Sequence, residues 1–287
     1  MDFNYHLLSD LNNIRIQDLH HWFSSYVLNF KQDEHGARMI ELKEEHSKRV
    51  CSLISAIGKS LGLSENKLLL AEVTALFHDI GRFEQYARYR TFVDQKSVNH
   101  AELGVQILQS HCVLHFLAEP TASLILRIIR YHNRSLLPPD ETEICLFFAR
   151  LLRDADKLDI FRVVTDYYNS KEGRRHEAIE LGLPDAPECS EAVYTDLENQ
   201  RPVDIHHVKT LNDLKLLQIG WVFDINFEPT FKILNSMHYL EMIRHVLPDS
   251  ERMDILFSQI CAYLENRLAT GYKEGKLVSP SEKPLSP

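Results

Sequence analysis

No stretch of this chain approaches the roughly 18 apolar residues that a membrane span needs. The opening MDFNYHLLSDLNN has neither the basic nor the apolar region of a secretory leader. Both absences lead to the expectation of a cytoplasmic protein with no membrane partner. Cysteine is sparse as well. Cys51, Cys112, Cys145, Cys189 and Cys261 are scattered, odd in number and never spaced CxxC, which argues against a disulfide scaffold or a thiolate metal site. Excess positive charge is also missing: 32 Lys and Arg against 41 Asp and Glu give a formal charge of -9. A nucleic-acid polymer is held chiefly through phosphate neutralisation, so none is expected as a partner. A small anionic substrate remains open, because a few local cations can hold one. There is no internal repeat and no strand alternation.

What the chain does have is helical periodicity. With 44% hydrophobic and 25% charged residues among 287, it has the composition of a soluble globular protein, with one main domain. A helix is expected from about 33 to 61, stopped by Gly62, and a second begins after Ser64. The second carries Leu69, Val73, Leu76, Phe77 and Ile80 on one face and is expected to stop at Gly81, through the left-handed cap that glycine permits. Further helices are expected at about 98–110, 119–132, 140–169, 209–226, 228–246 and 250–270. The expected organisation is an amino-terminal helical segment (1–32), a core (33–172), a Pro-containing, loop-rich excursion (173–208), carboxy-terminal helices packed on the core (209–271) and a disordered tail (272–287).

Polar residues interrupt the apolar stripes at several points. His46 lies four residues after Leu42 and four before Val50, so it points inward. His100 shares a face with Leu103, Gly104 and Ile107. His132 follows Ile125, Ile128 and Ile129 at i+7, i+4 and i+3. Asp156 lies four residues after Leu152, in line with Phe148 and Val163. The segment LFHDIGRFEQ adds the adjacent pair His78 and Asp79 at a helix end. A lone inward histidine usually bonds a backbone carbonyl. Several inward imidazoles and carboxylates on separate helices each carry a desolvation cost, which a shared divalent cation would offset.

Imidazole and carboxylate donors without thiolate suit Mn, Fe, Ni, Co or Zn. Six donors exceed one tetrahedral site, so two ions are expected, with Asp79 as the bridging carboxylate. Adjacent residues on a helix diverge by about 100°, so His78 and Asp79 can serve one cluster only where the helix ends or loosens.

The order His46, His78-Asp79, His100, His132, Asp156 resembles the HD-domain superfamily of metal-dependent phosphohydrolases, most clearly in FHDIGRFEQ, SVNHAELG and RDADKLD. The likeness covers about residues 40–170. It implies an all-α HD-domain helical bundle, here with a carboxy-terminal helical extension. By the same likeness His46, His78, Asp79 and Asp156 match the minimal ligand quartet, and His100 and His132 match the positions that complete a second metal site. Phosphate-ester hydrolysis by metal-activated water is implied, with Asp79 catalytic and a small phosphorylated metabolite or nucleotide as substrate. Relatives that cleave cyclic dinucleotides carry a Gly-Tyr-Pro signature soon after the fourth histidine; here His132 leads into NRSLLPPD. Two other functions compete: a mixed-valence di-iron oxygenase using the same six ligands, and a nucleotide-binding sensor without turnover. A homo-oligomer stays open.

Cations should complete a phosphate cradle. Arg82 follows the HDIG turn, Lys96 precedes His100 and Lys157 follows Asp156, so all three can approach converging ligands; a solvated surface charge is the competing reading of each. Asn99 is a substrate candidate that can equally be a helix cap. HCVLH has the spacing of a metal pair at His111 and His115, but lacks the glutamate of a zinc protease. DADKLD lacks the glycine of a calcium loop and lies within a helical period.

Overall fold

The computed structural model describes residues 8, 10–31, 34–170 and 177–270; the expected tail at 272–287 lies outside them. Among the described residues there is no strand, and the fold is all-α. Helix α1 (Asn13–Leu28) starts at Asn12, whose side chain accepts from the Arg15 backbone N–H. The long α2 (Glu34–Ser60) ends just before Gly62, where φ is +70°. That left-handed turn, cheap only for glycine, sends the chain into α3 (Glu65–Phe77). Ser64 precedes α3, yet its hydroxyl makes no capping bond.

Here the structure corrects the expected helix end. The chain leaves α3 at Phe77 and re-enters a helix, α4 (Ile80–Tyr89), so Gly81 lies inside α4 and caps nothing. The break is Asp79, at φ -101° and ψ 13°, one residue off helical geometry. Glycine is required at 81 for another reason. A Cβ there would overlap the carbonyl oxygen of His100 and lie 2.8 Å from the backbone nitrogen of Gly104, both on α5 (His100–Ser110). The two helices therefore touch backbone to backbone.

Helix α6 (Glu119–Tyr131) buries Ile125, Ile128 and Ile129, and α7 (Glu143–Asn169) buries Phe148, Leu152 and Phe161. Each such side chain stabilises the fold by roughly 1.5–3 kcal/mol. Helix α2 packs against both α3 and α7, while α4, α5, α6 and α7 pack in succession. The centre of this bundle is where the inward polar residues meet.

The excursion is less irregular than its prolines suggest. It contains the single-turn α8 (Glu177–Glu180) and an unforeseen helix, α9 (Glu191–Glu198), whose Val193 and Leu197 are buried. After α10 (Leu211–Gly220) a 3-10 turn, Trp221–Asp224, ends the expected 209–226 helix early. The expected 228–246 helix is split into α11 (Glu228–Ser236) and α12 (Tyr239–Arg244) by His238, at φ +54°. Helix α13 (Glu251–Ala269) follows. Helices α11 and α12 lean on α7, fastened by Asp154. Its fully buried carboxylate accepts from the backbone N–H groups of Asn226 (3.1 Å) and Phe227 (3.0 Å). No helix among the described residues is long and apolar enough to cross a membrane.

Candidate metal centre

Each of the six inward residues occupies a position that its local sequence makes unusual. His46 projects from the middle of α2 and Asp156 from the middle of α7, each on an otherwise apolar face. The other four sit at helix ends: His78 just after α3, Asp79 just before α4, His100 as the first residue of α5, and His132 just after α6. Asp79 occupies an N-cap position without capping, so its carboxylate is left for the centre. His46, His78, Asp79, His100 and His132 are buried, whereas the Asp156 side chain retains 19% exposure. Asp156 is thus the one of the six that keeps appreciable contact with solvent.

The six converge. His46 Nε2 lies 3.0 Å from Asp156 Oδ1 and 3.2 Å from His78 Nε2. His100 Nε2 lies 3.0 Å from His132 Nε2. Asp79 stands between the two groups, with Oδ2 3.7 Å from His46 and 3.8 Å from His78, and Oδ1 3.3 Å from His100 and 3.8 Å from His132. Two overlapping donor sets, His46/His78/Asp156 and His78/Asp79/His132, each bring their ligand atoms within 4.8 Å of one another.

The outer ring nitrogens suit this cluster to a cation. Each Nδ1 donates away from the centre: His46 to Asp159 Oδ2, His78 to the Ala75 carbonyl, His100 to Asp94 Oδ2 and His132 to the Ile129 carbonyl, all at 2.7 Å. An imidazole that donates through Nδ1 keeps an Nε2 lone pair when neutral, and these bonds point the four Nε2 atoms inward. Burial, reinforced by the charge of Arg82, takes the His100 pKa down to about 3, which keeps that ring neutral. Its Nε2 lies 3.0 Å from His132 Nε2, a close approach of two ring nitrogens that a shared cation would make favourable. Burial also pulls on His46, but its bonds with Asp156 and Asp159 outweigh that and raise its pKa. Asp79 and Asp156 are both held well below the usual carboxylate range. Burial opposes this, but Lys43 and His78 outweigh it at Asp79, as do His46 and His78 at Asp156. Both carboxylates are thus ionised and able to ligate, so the residues present fit a divalent metal.

A family model for the HD domain matches residues 44–160, a span that contains all six residues. Residues 44–160 are an HD domain. No curated protein and no solved structure matches the chain. HD domains bind divalent metals, and the family is largely one of metal-dependent phosphohydrolases.

Around this HD centre the expected cations have different surroundings. Arg82 is close, with Nε 3.5 Å from Asp79 Oδ1 and lacking a hydrogen-bond partner although buried, while Nη1 donates to Gln85, the Phe92 carbonyl and Asp94. Lys157 is buried and neutralised by Asp224 at 2.7 Å, so it is not a free cation for substrate. Lys96 is exposed, its ammonium close to Gly182 at the turn after α8. Asn99 caps α5, accepting from the N–H groups of Ala101 and Glu102, and also accepts from Asn133. His111 is absorbed by an edge-on contact with Trp22.

Three further participants escaped sequence reasoning. Lys43 holds Asp79 Oδ2 at 2.8 Å. Asp159 binds His46 on one side and Arg49 on the other, through Nε at 2.6 Å and Nη2 at 2.9 Å. Asp94 gathers His100, Arg82, Gln85 and Asn133. Helical spacing contained a signal for two of these, since Lys43 is three residues before His46 and Asp159 three after Asp156. Asp94 lies in a short 3-10 turn between α4 and α5, where no periodicity marks it.

Proposed function

We propose that the chain is a metal-dependent phosphohydrolase that cleaves a phosphate ester of a small metabolite or nucleotide. The observation that carries this is the set of four inward-turned imidazoles around both oxygens of the ionised Asp79. His46, His78, Asp156 and Asp79 Oδ2 would hold one divalent ion; His100, His132 and Asp79 Oδ1 would hold a second. When bound, such ions supply a water of lowered pKa and offset the charge of the phosphoryl group. Asp79, accessible to both halves, orients the attacking water in line with the ester bond. As the water oxygen bonds to phosphorus the P–O bond to the leaving group breaks, and a proton given up by the water passes to the departing oxygen, so that phosphate and an alcohol are the products. The unpartnered Nε of Arg82 offers a donor for charge growing on a phosphoryl oxygen, in a setting dry enough to make it effective. Lys96, exposed in the turn before α5, would add to the positive potential that draws an anionic substrate.

The test is a phosphate-release screen across nucleotides and sugar phosphates, using protein purified anaerobically and analysed for bound metal. Release of phosphate is expected, abolished in His78→Ala with helical circular dichroism retained. Iron in the protein, oxygen uptake with substrate and no phosphate release from any ester would show the oxygenase chemistry instead.

A further inference from the structure

The cations close to the centre differ in how they are held. Arg49 is paired with Asp159, and Arg82 chiefly with Asp94 at 2.8 Å, its Nε reaching Asp79 Oδ1 only at 3.5 Å. Both are thus tied to outer carboxylates that also brace a histidine. Lys43 is different. Among the described residues its one ion pair is with Asp79 Oδ2, at 2.8 Å, on the side of Asp79 that faces His46 and His78. Its remaining neighbour of note is the Phe92 ring, 5.6 Å from Nζ to the centroid. The side chain is 19% exposed, as is that of Asp156, so both adjoin solvent at the edge of the cluster. The ammonium therefore occupies the outer lobe of an oxygen that a metal on the His46 side would also need.

The charge beside Asp79 governs where this ammonium rests. Without metal it closes on Asp79 Oδ2, the carboxylate oxygen it pairs with. A divalent ion beside that oxygen adds two positive charges, and the ammonium is then repelled from Asp79. A flexible four-carbon stem lets it move to the mouth, where an anionic oxygen replaces the lost partner. We propose that Lys43 is an exchangeable counter-ion: it competes with metal for Asp79 Oδ2, and once metal is bound it holds a phosphoryl oxygen of the substrate. This rests on the phosphohydrolase reading for the identity of the anion, but the competition with metal does not.

Two titrations test it on the folded full chain, with Lys43→Met, which keeps the stem and removes the charge, and Lys43→Arg, which restores charge. Mn²⁺ affinity is measured by competition with a chelating dye. Inorganic phosphate binding to the Mn²⁺-loaded protein is measured by calorimetry. Lys43→Met should bind Mn²⁺ roughly tenfold more tightly and phosphate roughly tenfold more weakly, the scale of one charge-assisted hydrogen bond. Lys43→Arg should recover most of the phosphate affinity. Unchanged or weaker Mn²⁺ binding in Lys43→Met overturns the competition, and unchanged phosphate binding overturns the substrate contact. A wild-type chain that binds no divalent metal overturns both this proposal and the phosphohydrolase reading, whereas tight metal binding without phosphate release from any ester overturns that reading alone.

Discussion

Replacing Gly81 by alanine presses directly on the contact that positions half of the metal centre. The new Cβ would lie 2.8 Å from the Gly104 nitrogen, 3.1 Å from the His100 carbonyl carbon, and nearer still to the His100 oxygen. All three are backbone atoms of α5 and cannot rotate aside, so α4 and α5 must part by about 1 Å to restore ordinary contact. Overpacking of this kind costs about 1–3 kcal/mol, offset by about 1 kcal/mol because alanine is the better helix former. The net loss of up to about 2 kcal/mol corresponds to a fall in melting temperature of up to about 8 °C for a chain of this size. The centre should suffer more than the fold. His100 begins α5 and lies 3.0 Å from His132 Nε2 and 3.3 Å from Asp79 Oδ1, while ligand distances in metal sites tolerate about 0.2 Å. Thermal melts followed by circular dichroism, paired with elemental analysis after dialysis against limiting Mn²⁺, would therefore show a modest drop in melting temperature and a disproportionate loss of metal. Gly104→Ala is the control: its Cβ would meet the Ile80 Cγ2 at 3.1 Å, the end of a side chain that can yield, and its effect should be smaller. A Gly81→Ala protein with wild-type melting temperature and full metal content would refute the backbone-to-backbone contact and the placement of His100 that depends on it.

Asp94→Asn removes the carboxylate that fixes the His100 ring and should weaken metal binding about 10- to 100-fold; dye competition would detect this, with an unchanged circular dichroism spectrum separating it from unfolding. Asp154→Ala leaves the backbone N–H groups of Asn226 and Phe227 without their acceptor and should cost about 2–6 kcal/mol by urea unfolding, at about 1–3 kcal/mol for each unsatisfied group. Burial, against the bonds from Asn226 and the charge of Lys157, raises the Asp154 pKa to about 6. Since the folded state then holds this proton more tightly than the unfolded chain, its contribution is fully present below about pH 4 and is lost as pH rises through about 6. Unfolding measured across that range should show wild-type stability declining relative to Asp154→Asn by up to about 3 kcal/mol; a flat difference would count against the raised pKa.

The helices were legible because burial in an all-α fold imprints a period of about 3.6 residues, and that period is local. Their boundaries were harder where two causes compete for one residue. Gly81 looks like a cap from its neighbours alone, but the start of α5, well beyond it in the chain, is what requires it, and the helix break falls at Asp79. His238 carries no sequence mark of the left-handed turn that divides α11 from α12. In the excursion, the buried Val193 and Leu197 of α9 are too few to show a period before α10 and α13 supply the surface they cover.

The same division runs through the metal centre. The identity of the six candidate ligands came from sequence, because an imidazole or carboxylate on an apolar stripe is a local anomaly with a desolvation cost visible from its neighbours. Their resemblance to an HD pattern added order and spacing. Tertiary structure alone decided which groups surround them. Lys43, Asp94 and Asp159 reach the centre, and Lys157 is neutralised by Asp224, through contacts between elements far apart in the chain. Polar partners of this kind are chosen by distances of about 3 Å in space, and no periodicity along a helix encodes which residue of another helix will stand there.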